Sequence, residues 1–330
     1  MSQTQGELGV IARTDVGGPG TPEGAVQGRS LWSIAWRRLR HDHVAMVGGV
    51  IVVLFVLVGA LAPLITKIYG QDYHTLHQTD GLLNPGTEMP LGSLSGATGT
   101  HWLGITPVLG QDIFSSLVYG ARTSLLIGLT ATALSVILGI TFGTLAGYYR
   151  GWADAIISRF MDVLLSFPVL LFSISLITVV AIINGSNWVR ASIIIFVLGF
   201  FGFPYIGRIV RGQVLSLREK EFVDASRSLG ASNARIMMRE LTPNLVGPIL
   251  VYTTLTIPNN ILGEAGLAYL GIGIQPPTPS WGQMLSDAGS YFQIDPWYLI
   301  FPGLALFITV LAFNLFGDGL RDALDPRSTR

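Results

Sequence analysis

Cysteine is absent from all 330 residues. That excludes disulfides, thiolate zinc sites, iron–sulfur clusters and thiol catalysis. Charge is scarce as well. Asp, Glu, Lys and Arg make up 12% of the chain, about half the share of an ordinary soluble domain. The 20 basic and 20 acidic residues cancel, so the chain has no overall attraction for nucleic acid. No G-x-x-x-x-G-K-[ST] phosphate loop occurs. Gly271-Ile272-Gly273 lacks the third glycine and the strand–helix setting of a dinucleotide site. Nothing ties a serine, a histidine and an acid into a triad. Of the histidines His41, His43, His74, His77 and His101, only His74 and His77 have the spacing of one helix face, short of a metal-ligand set. The expectation is a chain without catalysis, bound cofactor or metal.

What the chain has is apolar length. Half of its residues are hydrophobic, and they gather in six runs at 44–65, 124–149, 163–183, 191–206, 243–262 and 297–316. At about 1.5 Å per residue, such runs can cross the roughly 30 Å hydrocarbon core of a bilayer. The third run contains Pro168 and the fourth Pro204, and the fourth can extend past Arg208 if that side chain snorkels. The 40 glycines and 17 prolines follow no G-x-y period, and membrane helices tolerate both residues. Residues 1–30 carry too little apolar surface to fold and read as a disordered tail. They lack the basic start and apolar core of a signal peptide. Residues 31–43 predict a short interfacial helix, with Arg37, Arg38 and Arg40 at the headgroups and Leu31, Ile34 and Ala35 dipping inward.

With six spans, both termini share one side. Seventeen of the 20 Lys and Arg fall on that side, and Lys67, Arg122 and Arg190 fall on the other. The positive-inside rule then places both termini in the cytoplasm. Residues 66–120 and about 271–295 face outward, and the long connection from about 211 to 242 faces inward.

In that inward connection Phe222, Ala225 and Leu229 recur at helical spacing, Gly230 interrupts them, Ile236 and Met237 resume the pattern, and Pro243 can open the next span. The pattern fits a short helix offering an apolar stripe to a soluble partner. It equally fits a connector packed on its own bundle. In the second span Ser135, Gly139, Gly143 and Gly147 repeat every four residues, the pattern that lets helix backbones approach closely. Near the outer end of the fifth span, Glu264 reads either as an acid on a water-filled path or as a carboxylate holding the adjacent loop. Asn259 and Asn260 read either as neutral groups on that path or as the point where the span leaves the hydrocarbon. Asp162 is expected to pair with a basic neighbour.

The inward connection also resembles the signature loop of inner-membrane permeases of binding-protein-dependent ABC importers. Their pattern is E-A-A, three residues, G, nine residues, then I-x-L-P. Asp224, Ala225, Ser226 and Gly230 stand at its first positions, and Glu240, Leu241, Thr242 and Pro243 at its last. Asp224, Ser226, Glu240 and Thr242 depart from the consensus residue types. Other pieces resemble the C-type permease of dipeptide, oligopeptide and nickel importers. These are His101, Leu103 and Gly104; Gly110-Gln111-Asp112; Gly120-Ala121-Arg122-Thr123-Ser124-Leu125; and Ala146-Gly147-Tyr148-Tyr149. The most specific are the stretch Gln275-Pro276-Pro277-Thr278-Pro279-Ser280-Trp281-Gly282 and the C-terminal Gly317-Asp318-Gly319-Leu320-Arg321-Asp322-Ala323-Leu324-Asp325-Pro326-Arg327. Together they cover about residues 31–327.

The resemblance implies an all-α, six-span, multi-pass protein of the inner (cytoplasmic) membrane with the type I ABC importer permease fold. It implies a front segment of residues 31–120 and a five-helix core of 121–327, followed by a short tail at 328–330. Residues 221–232 become a coupling helix for an ATPase subunit, with Glu221, Phe222, Asp224, Ala225, Ser226, Leu229 and Gly230 as its contact residues. Asn259, Asn260 and Glu264 become candidates for the translocation path. The implied partners are a homologous second permease, two ATPase subunits holding ATP and Mg²⁺, an extracytoplasmic binding protein, membrane lipid and a peptide cargo, with nickel as the alternative cargo. A secondary transporter and a non-transporting membrane anchor are the readings from other classes.

Overall fold

The computed structural model describes residues 31–183 and 185–324. The expected tail at 1–30 and the chain end at 325–330 lie outside the described residues. Among those described, the chain is helical, and the only strand-like pairings are the isolated bridges Leu83–Pro90 and Ile105–Asp112. The helices are α1 (Leu31–His41), α2 (His43–Ala60), α3 (Ala62–Tyr69), α4 (Ile113–Tyr149), α5 (Gly151–Ser166), α6 (Val169–Ile183), α7 (Asn187–Leu217), α8 (Glu221–Ser228), α9 (Asn233–Arg235), α10 (Thr242–Tyr269), α11 (Trp281–Ala288) and α12 (Pro296–Leu324).

Five helices are long and apolar enough to cross a membrane: His43–Ala60, Ile113–Tyr149, Asn187–Leu217, Asn233–Tyr269 and Pro296–Leu324. The pair α5/α6 makes a sixth crossing if its two halves are counted together, but they bend by 78°. The expected third span is therefore a broken element, not one helix over 163–183. Phe167 takes an extended conformation at the break, as a residue preceding proline prefers to do, and Pro168 cannot continue the ladder of α5. The first span stops short of its run, α2 ending at Ala60, whereas α4, α7, α10 and α12 outrun theirs. A run measures hydrocarbon thickness, whereas backbone hydrogen bonding continues until a cap stops it. Thus α4 begins 11 residues before the predicted start, and α7 runs on past Arg208. Asn259 and Asn260 lie well inside α10, and Glu264 lies five residues before its end. The α5 acids meet the α7 arginines: Arg208 pairs with Asp162 at 2.5 Å, and Arg211 holds Asp154 through two bonds of 2.5 and 2.7 Å.

α4 and α7 pack along the four-residue repeat. Ser135 Oγ donates to the Gly199 carbonyl at 2.9 Å. A Cβ on Gly139 would lie 2.7 Å from Ile206 Cγ2, one on Gly143 2.5 Å from the Gly207 carbonyl oxygen, and one on Gly147 2.8 Å from Val214 Cβ. The seam thus faces α7 of the same chain. The C-terminal motif does similar work. A Cβ on Gly317 would lie 2.9 Å from Thr254 Oγ1 of α10, and one on Gly319 would lie 2.1 Å from Ala45 Cβ of α2. This motif lies on α12 and wedges it between two neighbours. Along α1, Ala35 and Leu39 are buried while Arg37, Arg38 and Arg40 are exposed. Leu39 packs with Ala45, Ala323, Phe316 and Leu320, so this helix docks on α12.

Candidate functional site

α8 stands on a single buried anchor. Val223 is fully buried in a cluster with Tyr148 of α4, Ile206, Val210 and Val214 of α7, Ile236 and Leu241, and Leu245 of α10. At 100° per residue, Phe222, Ala225 and Leu229 fall within roughly 60° of one another, on a face turned away from Val223. That face is open: Phe222 is 37% exposed, Leu229 is 88% exposed, and Ala225 is exposed. Glu221 and Asp224 occupy the first turn, where acids complement the helix dipole. Ser226 is half-buried. Arg227 and Asp224 pair at 3.2 Å on the surface, a contact worth about 0–1 kcal/mol.

Gly230 ends α8 at φ +80°. Its N–H donates to the Arg227 carbonyl at 3.0 Å, and the Ala231 N–H donates to the Ser226 carbonyl at 3.1 Å. Glycine takes this left-handed stop at least cost. The chain then enters α9 and a wide π-helical turn over Ile236–Leu241 before α10. Pro243 stands in the first turn of α10, and the helical path continues through the π turn from Asn233 to Tyr269. The Thr242 hydroxyl donates to the Met237 carbonyl at 2.8 Å within that turn.

Three residues that hold this loop carry no obvious signal in its own sequence. Tyr148 donates to Asn233 Oδ1 at 2.8 Å. The Arg218 guanidinium donates to the Tyr148 carbonyl and sits 5.9 Å over its ring. Tyr148 belongs to the Ala146–Tyr149 motif, which was the available clue; its contact with the loop was not readable.

Glu264 is fully buried. Ser124 Oγ of α4 donates to Glu264 Oε2 at 2.9 Å and accepts from the Trp281 backbone N–H at 3.2 Å. Ser280 lies beside the carboxyl, and Oε1 has no hydrogen-bond partner. The Trp281 indole donates to the Leu117 carbonyl at 3.1 Å. A Cβ on Gly120 would lie 2.9 Å from that indole. The motifs at 120–125 and 275–282 therefore meet Glu264 at one junction that fastens the loop after α10 onto α4. Asn260 also turns into the bundle and donates to Thr132 Oγ1 at 2.8 Å. Asn259 is exposed, its amide donating to the Leu255 carbonyl at 2.9 Å. Of the three path candidates, only Asn259 lies on an open surface.

Ser124→Ala is expected to strip one buried donor from Glu264 and one acceptor from Trp281. Each such loss costs roughly 1–3 kcal/mol. The check is a double-mutant cycle with Glu264→Gln, read as the thermal midpoint of the purified protein. The two changes should be strongly non-additive; additive losses would mean the contact contributes nothing.

At the end of the bundle remote from α8, the other motifs also turn out to be architectural. His101 Nδ1 lies 2.8 Å from Asp112 Oδ2, and Asp112 Oδ1 caps α4 by accepting from the Ser115 N–H at 2.7 Å. The Tyr69 hydroxyl donates to Asp112 at 3.0 Å, and burial raises its pKa above the usual phenol range. Burial also pushes Asp287 up to about 6, against the donor Gln283. His77 pairs with Asp80 at 2.7 Å, whereas His74 stacks on Tyr73. No group of three or more His, Asp and Glu side chains among the described residues is arranged to hold a metal ion.

The chain matches the binding-protein-dependent transport system inner membrane component family over residues 139–330. It matches the N-terminal TM domain of oligopeptide transport permease C over residues 30–85. It is 39% identical over 306 residues to the dipeptide transport system permease protein DppC of Alkalihalophilus pseudofirmus, covering 93% of each chain. It is 40% identical over 301 residues to the glutathione transport system permease protein GsiD of Escherichia coli O157:H7, covering 91% of this chain and 92% of that one. Among solved structures, an inward-facing MetNI methionine ABC transporter chain aligns with a TM-score of 0.52 at 21% identity. That alignment covers 64% of this chain and 98% of the other.

Proposed function

Since this chain belongs to the family of inner membrane components of binding-protein-dependent transport systems and is a permease subunit of an ATP-driven importer, we propose that α8 is the surface on which an ATPase subunit docks. The observation that carries this reading is the two-sidedness of α8. Its Phe222, Ala225 and Leu229 face is open, while Val223 joins it to α4, α7 and α10 in one core. A push on α8 must therefore displace the ends of three spans together, because packed interiors transmit strain. Residues 221–232 form the docking segment, and Gly230 sets the direction in which the chain leaves it.

The α8 end of the bundle is cytoplasmic in this reading. A second permease completes the pathway, and two ATPase subunits hold ATP and Mg²⁺. A binding protein delivers cargo to the opposite end. Residues 31–120 are the front segment and 121–327 the permease core, with α4 crossing the border between them. The cargo is a short peptide, since the DppC and GsiD relatives are named for a dipeptide and for glutathione, itself a tripeptide. Asn259 is the path candidate best supported by exposure. Ser135, Gly139, Gly143 and Gly147 serve packing within this chain.

The absence of cysteine allows a direct test. Leu229→Cys makes the chain's single thiol at the most open point of the loop. In the assembled importer, a short thiol-directed photo-crosslinker at that position should capture an ATPase subunit. Capture of lipid or the second permease alone would refute docking at α8. Uptake of labelled dipeptide by the same complex in liposomes tests the cargo.

A further inference from the structure

Arg122 is an exposed cation on the helical bundle. It lies on α4, 26 residues from Tyr148, or about 39 Å along the helix, and so at the membrane boundary opposite α8. No ion pair among the described residues includes it. Arg122 lines a largely apolar cavity of about 310 Å³ with Tyr73, Tyr119, Thr123, Asn187 and Trp188. None of the residues lining that cavity is acidic. The Tyr73 and Tyr119 rings lie 4.4 Å apart, and burial raises the pKa of Tyr73, so its hydroxyl keeps its proton as a donor.

Trp188 is 79% exposed and also lines a second, apolar groove between α6 and α7. That groove follows Leu176, Val180, Val189, Ile193 and Phe196. From Trp188 to Phe196 it descends about 12 Å along α7, toward the bilayer centre. The Arg122 cavity and the apolar groove thus share one tryptophan wall, at the depth where tryptophan and tyrosine prefer to sit.

We propose that these two hollows together bind one anionic glycerophospholipid, its phosphate on Arg122 and an acyl chain in the α6/α7 groove. Among the described residues the cation has no carboxylate partner, and a guanidinium pairs readily with phosphate. A zwitterionic peptide would leave its ammonium without an acid in this cavity, whereas an anionic lipid needs none. Hydroxyls of a glycerol headgroup would find Thr123 and the tyrosines. This site is separate from the docking role of α8 and does not depend on it.

The test uses the complete importer in nanodiscs of phosphatidylcholine with one-fifth phosphatidylglycerol, followed by native mass spectrometry of the released complex. Wild type should retain phosphatidylglycerol over phosphatidylcholine in a ratio at least tenfold above their ratio in the bilayer. Arg122→Gln should lower that retention to the phosphatidylcholine level, Arg122→Lys should restore part of it, and Phe196→Ala should weaken retention of both lipids. Equal retention of the two lipids by wild type would overturn the proposal even if every variant failed to assemble. So would unchanged retention in Arg122→Gln, or displacement of the lipid by millimolar dipeptide.

Discussion

Ala225→Trp is expected to insert and fold normally yet lower binding-protein-stimulated ATP hydrolysis and cargo uptake by at least tenfold. Ala225 is exposed on α8 and makes no buried contact within its own chain, so the indole has nothing in the bundle to displace. It would instead overfill the face reserved for the ATPase. Overpacking a fitted contact costs typically about 1–3 kcal/mol, and 1.4 kcal/mol is already tenfold in affinity. Gly230→Val probes the same loop by another route. No atom lies within 4 Å of a Cβ built there, so the damage comes only from φ +80°. A left-handed backbone costs a side-chain-bearing residue about 1–2 kcal/mol, most for a β-branched one. The measurement compares subunit co-purification, ATP hydrolysis and uptake for both variants in one reconstituted system. Full coupling in Ala225→Trp would remove α8 from the mechanism. Coupling lost only in Gly230→Val would assign the loop's exit, and not its face, the decisive part.

Gly143→Leu should have a larger effect, of a different kind: loss of the folded subunit. The first added carbon would sit 2.5 Å from the Gly207 carbonyl oxygen and 2.8 Å from Val210 Cβ. Both are in the body of α7, where neither can turn aside without parting the helices. Even Gly143→Ala is expected to destabilise by about 1–3 kcal/mol. Gly212→Ala is the control, on α7 but with nothing within 4 Å of the new Cβ. That change should be neutral or slightly stabilising, since alanine is the better helix former. Thermal midpoints and yields of monodisperse complex decide the matter. If Gly143→Ala melts like Gly212→Ala, the α4/α7 seam is not close-packed.

The two variants separate residues that act from residues that hold. Most motif residues belong to the second group. Gly120, Ser124, Glu264 and Trp281 form one junction. His101 and Asp112 fix the start of α4. Gly317 and Gly319 let α12 approach α10 and α2. Among the described residues, the open face of α8 is where motif residue Ala225 lies exposed.

The amino-acid sequence by itself determined the membrane class, the candidate spans, the short helix at Phe222–Leu229 and its stop at Gly230. These follow from local quantities: apolar length, helical period and the backbone freedom of one glycine. The tertiary structure alone decided that the small-residue stripe of α4 meets α7, that Asn260 and Glu264 turn into α4 while Asn259 stays open, and that α5 and α6 part by 78°. Hydropathy reports only the solvent a segment prefers. Ser124 and Glu264 stand 140 residues apart, and no local pattern records which distant group completes a buried hydrogen bond. That pairing is fixed only when the helices pack, because a buried polar group must find its partner there or go without.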